Sequence, residues 1–205
     1  LRFGDAYTDG RIDIRGDLVT VVEALTRVTL GPRTWRERLR GALERPNSLS
    51  SARRNVHHHY DVGNDFYQLW LDRDLVYTCA YFEHPEQSLD DAQLAKKRHL
   101  AAKLLMRKDQ PVLDIGCGWG GLGIYLADIC GAAVTGVTLS REQHAIASER
   151  AGEKGLAHRA RFELRDYRDV RGPFDRMVSV GMFEYVGIDH YETFFRKAYE
   201  LLADD

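Results

Sequence analysis

The chain has 205 residues, of which 44% are hydrophobic and 29% charged, and its formal net charge is −2. This composition is typical of a globular protein with one or two domains, and a charge so near zero argues against a general nucleic-acid binder. No apolar run reaches the roughly 18 residues that a membrane-spanning helix needs. Three cysteines, Cys79, Cys117 and Cys130, lack CxxC spacing. This excludes a disulfide scaffold and a zinc ribbon and favours a reducing compartment.

The N-terminal part predicts a small accessory module. Residues 1–17 alternate in hydrophobicity around an Asp-Gly turn and predict short strands. Asp17 is suited to cap a helix over residues 18–30. A second helix carrying Trp35 has one apolar face and several arginines, so it could dock on the following domain or lie on a membrane surface. We predict that residues 1–45 are the end of an N-terminal α+β accessory domain.

Residues 46–110 predict a linker and a helical cap for the domain that follows. Asn64 is suited to cap a helix over residues 65–71. Ser88, followed three residues later by an aspartate, predicts the start of a long helix that ends near residue 107.

Residues 111–205 alternate between strand and helix patterns. Strands are predicted at residues 112–115, 133–138, 161–164 and 176–180, and helices at residues 119–129, 141–154 and 190–202. Such alternation predicts an α/β fold with a doubly wound parallel sheet covered on both faces. Four strands are few for this fold, and the chain begins with Leu1. We therefore expect a piece of a longer protein, truncated at its C-terminal side.

A glycine-rich segment follows the first predicted strand, from Asp114 through Gly116 and Gly118 to Gly121. Glycines let a ligand approach the backbone, and a helix N-terminus presents free N–H groups. The spacing also fits a dinucleotide site, but the acidic residue expected about 20 residues later is absent. Asp114 would repel a pyrophosphate, whereas it could hold an ammonium group. The pattern Asp-x-Gly-x-Gly after a strand resembles that of S-adenosylmethionine (SAM) methyltransferases. A SAM site is favoured over a nicotinamide site and over a tight turn without a ligand.

Five segments together resemble the cyclopropane-fatty-acyl-phospholipid synthases in order and spacing, and most are shared with the related mycolic acid synthases. They are residues 55–67, 77–82, 113–121, 137–143 and 179–184. The resemblance implies a Rossmann-like SAM methyltransferase sheet. It also implies methylene transfer from SAM to the double bond of an unsaturated phospholipid acyl chain. Alternatives are a SAM methyltransferase acting on another lipid or small molecule, and a non-catalytic relative that binds SAM or lipid.

The resemblance also implies a cellular setting. We expect a cytoplasmic protein that contacts the inner membrane surface peripherally, binds membrane phospholipid and no nucleic acid, and could form a homodimer. Because the family's remaining ion-site His and Tyr lie beyond residue 205, we expect the 205-residue piece to be inactive by itself.

The resemblance assigns roles residue by residue. Cys79 and Glu184 would help to hold a bicarbonate ion that serves as the base. The residues that would contact SAM are Tyr77, Thr78, Asp114, Gly116, Gly118, Thr138, Leu139, Gln143, Asp166 and Tyr167. Gln143 has a second interpretation, because with Ser140 it fits a helix capping box. No metal site is predicted, since the consecutive histidines at residues 57–59 cannot share one face of a helix or strand.

Overall fold

A computed structural model of the chain describes residues 6, 7, 9–29 and 64–204. The chain divides into two compact units, Leu1–Pro46 and Asn47–Asp205. The predicted Trp35 helix and the histidines at residues 57–59 lie outside the described residues. No helix in the described ranges is long and apolar enough to cross a membrane.

The described part of the first unit contains helix α1, Leu18–Thr29. The cap prediction is confirmed, because Oδ2 of Asp17 accepts a hydrogen bond of 2.9 Å from the backbone N–H of Thr20. The strand prediction is wrong for residues 9–17, which show the turn but no strand. The backbone N–H of Arg11 donates instead to the carbonyl of Ala6 at 2.8 Å, which closes a local turn.

The second unit holds a parallel sheet with helices around it. Its elements are α2 (Asn64–Gln68), α3 (Leu89–Lys103), β1 (Pro111–Ile115), α4 (Gly121–Ile129), β2 (Ala133–Thr138), α5 (Arg141–Glu153), β3 (Ala160–Leu164), β4 (Arg176–Val178) and α6 (Tyr191–Leu201). A short 3₁₀ turn at Tyr167–Asp169 lies between β3 and β4, and two more, at Phe183–Tyr185 and Ile188–His190, lie between β4 and α6.

The strands pair in the order β3-β2-β1-β4, and all pairs are parallel. The chain therefore moves outward from β1 on one side and then crosses to β4 on the other. This confirms the predicted α/β doubly wound, Rossmann-like architecture. In such sheets ligands bind at the carboxyl ends of the strands where the winding direction changes, which here is the edge between β1 and β4.

Both faces of the sheet are buried, as the prediction required. Val112 belongs to one apolar cluster with residues of α4 and α5, such as Leu126. Its neighbour Leu113 belongs to a second cluster that includes Leu201 of α6. Successive side chains of a strand point to opposite faces, and each large buried side chain contributes roughly 1.5–3 kcal/mol. The helices on both faces hold the carboxyl ends of the strands in place.

Several helix ends differ from the predictions. Helix α2 begins at Asn64 itself, so this residue is not a flanking cap, and the helix ends at Gln68 rather than at residue 71. Helix α3 ends at Lys103 because Leu105 adopts a left-handed φ of 50°. Helix α4 begins only at Gly121, which leaves Trp119 in the glycine-rich loop.

Candidate functional site

The glycine-rich loop at the carboxyl end of β1 leaves open space above it. The backbone N–H groups of Gly116 and Cys117 donate to the carbonyl of Val137 at 2.9 and 3.1 Å, which ties the loop to β2. Gly118 has a φ of +55°, and a Cβ added to it would have no atom within 4 Å. The loop therefore presents bare backbone, followed by the N-terminus of α4, to a space that a ligand can enter.

Asp114 is a buried carboxylate directly before this loop. Its side chain is 3% exposed, and Oδ2 has no hydrogen-bond partner among the described residues. Burial raises the pKa of Asp114 to about 7. An unsatisfied buried acceptor costs about 1–3 kcal/mol, so a cationic donor would relieve it. The site therefore suits a ligand that carries an ammonium group.

Polar groups at the end of β2 form a compact buried network. The Thr138 hydroxyl donates to Oε1 of Gln143 at 2.9 Å, and the backbone N–H of Ser140 donates to the same hydroxyl at 3.2 Å. The backbone N–H of Gln143 donates to the Ser140 hydroxyl at 3.3 Å, which confirms Ser140 as the cap of α5. The half-buried Leu139 lies within this turn. The carboxyl end of β2 is thus preorganised beside the glycine-rich loop.

The end of β3 carries a buried ion pair. Asp166 is 2% exposed, and Arg168 donates to its two carboxylate oxygens at 2.8 and 2.7 Å. The ring of Tyr167 packs edge-on against Phe194 with centroids 5.3 Å apart. Burial raises the pKa of Tyr167 above its ordinary value. These contacts order the 3₁₀ turn that follows β3.

The segment around Thr78 meets the loop that follows β4. A Cβ on Gly181 would collide with the methyl group of Thr78, and a Cβ on Gly116 would lie 2.7 Å from Cβ of Met182. Gly181 and Met182 therefore lie between the Thr78 segment and the glycine-rich loop. Cys79 and Glu184, which are both exposed, lie on the two segments that meet. The structure thus brings together the two segments that carry the predicted catalytic residues.

An aromatic group joins helix α2 to the glycine-rich loop, and the sequence prediction missed this connection. Trp119 is 2% exposed, and its Nε1 donates a 2.8 Å hydrogen bond to Oδ1 of Asn64. The Tyr67 ring lies 4.9 Å from the Trp119 ring and 5.3 Å from the Tyr77 ring. Tyr77 is 41% exposed. The only sequence signal is a tryptophan between glycines, a place where a large side chain needs a partner.

Asp74 and Arg150 form a second connection that was not predicted. Arg150 donates to the carbonyl of Trp119 at 2.9 Å and to Oδ1 of Asp74 at 2.9 Å. The other carboxylate oxygen of Asp74 accepts from Lys97 of α3. Burial would raise the pKa of Asp74, but the hydrogen bond from Lys97 and the nearby cations lower it below its ordinary value. The ion pairs of Asp74 with Arg150 and Lys97 thus help to hold the backbone of the glycine-rich loop at Trp119.

Helix α3 holds the Thr78 segment through two buried polar side chains. Gln93 donates to the carbonyls of Val76 and Thr78 at 3.0 and 2.9 Å. Lys96 donates to the Thr78 hydroxyl at 2.6 Å and to its carbonyl at 3.3 Å. Periodicity alone gives no reason to bury a lysine and a glutamine, so the sequence prediction missed both.

The family model for mycolic acid cyclopropane synthetase matches residues 47–205. The chain belongs to this family. The match covers every element of the second unit and confirms the resemblance drawn from the five sequence segments. Among the described residues, no group of three or more His, Cys, Asp or Glu side chains could hold a metal ion.

Two curated bacterial proteins resemble this chain along nearly its entire length. A probable fatty acid methyltransferase of Pseudomonas putida is 37% identical over 204 residues, which cover 97% of this chain and 50% of the relative. The cyclopropane-fatty-acyl-phospholipid synthase of Escherichia coli K12 is 39% identical over 203 residues, 95% of this chain and 51% of the relative. The chain thus spans about half the length of the curated relatives it matches.

Solved structures share the fold of this chain. Mycolic acid cyclopropane synthase CmaA1, complexed with SAH and CTAB, aligns with a TM-score of 0.72 and 35% identity over 75% of this chain and 54% of that chain. Coclaurine N-methyltransferase aligns over 91% of this chain and 60% of that chain with a TM-score of 0.64 and 23% identity, which shows the fold alone. All residues predicted to hold a cofactor or an ion lie in the described part of this domain, and their roles stay predictions.

Proposed function

We propose that the protein containing this chain is a SAM-dependent enzyme that adds a methylene group to the double bond of an unsaturated phospholipid acyl chain, forming a cyclopropane. The observation that carries the proposal is the buried carboxylate of Asp114 beside an open glycine-rich loop, with Oδ2 lacking a hydrogen-bond partner among the described residues, in a chain that belongs to the mycolic acid cyclopropane synthetase family.

The residues present fit SAM. Oδ2 of Asp114, which has no hydrogen-bond partner in the described part of the chain, suits the ammonium group of its methionine part. We assign Gly116 and Gly118 to the same part, and the bare backbone of Gly118 leaves room for it. We assign Tyr77 and Thr78 to the methionine part as well. When bound, SAM supplies an electrophilic methyl group on a positively charged sulfur.

We assign the ends of β2 and β3 to the adenosine part. Thr138, Leu139 and Gln143 would line the ribose side, and Asp166 and Tyr167 the adenine side. The Thr138–Gln143 hydrogen bond of 2.9 Å preorganises the ribose side before any ligand arrives. Such preorganisation lowers the entropy lost on binding.

Cys79 and Glu184 are proposed to hold a bicarbonate ion. An alkene is a weak nucleophile, so the acyl chain must lie against the methyl donor with water excluded. An alkene that accepts a methyl carries positive charge, and closing the ring then requires a base to remove a proton. The bound ion would lie between the Thr78 segment and the loop after β4, because Cys79 belongs to the first and Glu184 to the second.

The acyl substrate implies contact with a membrane. We propose that the protein acts from the cytoplasm, at the surface of the inner membrane. Several exposed aromatic side chains near the site suit an apolar chain, among them Phe82 at 52% and Tyr185 at 66% exposure. A second candidate activity is methyl transfer to a fatty acid without ring closure, which the name of the Pseudomonas putida relative favours.

The test is incubation of the full-length protein with isotopically labelled SAM and vesicles of unsaturated phospholipid, followed by mass spectrometry of the acyl chains. Vesicles of saturated phospholipid are the control. Labelled cyclopropane chains in the unsaturated sample alone would support the proposal. A branched or unsaturated methylated product would support the second candidate instead. SAM binding without any labelled lipid would refute both.

A further inference from the structure

We infer that Lys96 is a positioning residue, which holds the Thr78–Cys79 segment against the loop after β4 and places a fixed positive charge beside the proposed ion site. This inference rests on the proposed function.

Lys96 is a buried lysine that holds a neighbouring segment in place through hydrogen bonds. Its side chain lies on α3 but is only 9% exposed. The ammonium donates to the hydroxyl of Thr78 at 2.6 Å and to the carbonyl of the same residue at 3.3 Å. Gln93, one turn earlier, donates to that carbonyl at 2.9 Å. Two side chains of one helix therefore define the position of the residue before Cys79.

Lys96 forms no direct ion pair within the described part of the chain. No carboxylate there lies within 4.0 Å of its ammonium, whereas its neighbour Lys97 is paired with Asp74. The charged and titratable groups that face Lys96 are Asp72, Cys79 and Lys97. Burial lowers the pKa of Lys96, the nearby Asp72 and Cys79 raise it, and Lys97 lowers it, which leaves a pKa of about 8. A buried cation beside Cys79 favours an anion at that place.

Lys96 influences both segments that border the proposed ion site. Lys96 bonds to Thr78, whose methyl group packs against Gly181 at the start of the loop that leads to Glu184. A shift of the Thr78 segment would therefore change the spacing between Cys79 and Glu184. A misplacement of about 1 Å costs roughly 100-fold in rate when reacting groups must be aligned.

The test compares Lys96→Met and Lys96→Arg in the full-length protein, with Lys103→Met as the control on the exposed end of the same helix. We expect Lys96→Met to lower kcat about 10- to 100-fold while the Kd for SAM changes less than about threefold. Wild-type activity should fall as the pH rises through about 8, because the Lys96 ammonium is then lost. In Lys96→Arg this alkaline limb should move to higher pH, since a guanidinium keeps its charge. Lys103→Met should match the wild type in kcat, in the Kd for SAM and in the pH dependence of activity.

Hydrogen–deuterium exchange of residues 77–82 gives a readout that does not depend on turnover. We expect faster exchange there in Lys96→Met than in Lys103→Met, even if the wild type forms no cyclopropane and the proposed function fails. Unchanged exchange in Lys96→Met would overturn the anchoring role. An alkaline limb that stays in place in Lys96→Arg would overturn the role of the charge. If Lys96→Met does not fold, the pH profile and the exchange of Lys96→Arg decide both points.

Discussion

The indole Nε1 of Trp119 donates a hydrogen bond of 2.8 Å to Oδ1 of Asn64, and this bond joins helix α2 to the glycine-rich loop. The two residues lie 55 positions apart in the chain. Trp119 is buried, so solvent does not readily replace this hydrogen bond. The bond therefore couples the helical cap to the backbone that is proposed to hold SAM.

Asn64→Ala is expected to destabilise the protein by about 1–3 kcal/mol, because it removes a hydrogen bond to a buried indole. We also expect weaker SAM binding, since the loop loses a fixed contact. Urea unfolding and calorimetric titration with SAM measure the two effects. Gln68→Ala, at an exposed position of the same helix, should change neither. Equal stability of the two variants would show that the bond has no energetic role.

Asp114→Asn is expected to stabilise the ligand-free protein at pH 8 while it weakens SAM binding at least tenfold. The folded-state pKa of about 7 lies above the ordinary value of 3.8 for an aspartate, so the folded protein binds more protons between these values. Its stability therefore falls as the pH rises through that window. Removing the carboxylate should add about 1–4 kcal/mol at pH 8 and little near pH 4.

The same titration predicts how SAM binding depends on pH. Below about pH 7 the Asp114 carboxyl becomes protonated and no longer attracts an ammonium group, so the affinity of the wild type should fall. Asp128→Asn, at an exposed position of α4, is the control and should behave as the wild type. A wild-type affinity that stays constant between pH 5 and 8 would contradict the assignment of Asp114 to the ammonium group.

Gly118→Ala separates ligand binding from backbone strain. Both Gly118 and Gly155 have a left-handed φ, of +55° and +68°, and a Cβ on either would meet no atom within 4 Å. Each alanine should therefore destabilise the fold by a similar amount, about 1–2 kcal/mol. Only the Cβ at Gly118 would occupy the space proposed for SAM. We expect a tenfold or greater loss of SAM affinity in Gly118→Ala and none in Gly155→Ala, measured by calorimetry. Equal affinities would place SAM elsewhere.

Glu184→Gln tests the proposed ion site. In the full-length protein we expect kcat to fall about 100-fold or more, because the base that removes the ring-closing proton would lose a ligand. The Kd for SAM should stay within about threefold, since Glu184 is not assigned to the cofactor. Glu149→Gln, at an exposed position of α5, is the control. Cys79→Ser should resemble Glu184→Gln, and wild-type turnover in both variants would remove the ion site from this place.

Local signals were sufficient to predict much of the fold. Ser88 and Ser140 cap the helices that they were predicted to cap, because a cap depends on residues only three positions apart. The glycine-rich turn was predicted from the residues themselves, since left-handed backbone at Gly118 needs no distant partner to be recognised. Five linked segments predicted the family, and the match of the family model over residues 47–205 confirms it.

Other features depended on residues that the chain order keeps apart. Asn64 was predicted as a cap, but its side chain bonds to Trp119 instead. Residues 9–17 alternate like a strand, yet no strand forms there, because alternation alone supplies no pairing partner.

What the sequence by itself determined is the fold class, the glycine-rich turn and the family. The tertiary structure alone decided that Lys96 is buried against Thr78, that Arg150 holds the carbonyl of Trp119, and that Asp114 keeps a carboxylate oxygen without a partner in the described ranges. The physical reason is that hydrogen bonding and desolvation depend on which groups surround a side chain. Those surroundings exist only after the sheet has brought the carboxyl ends of its strands together.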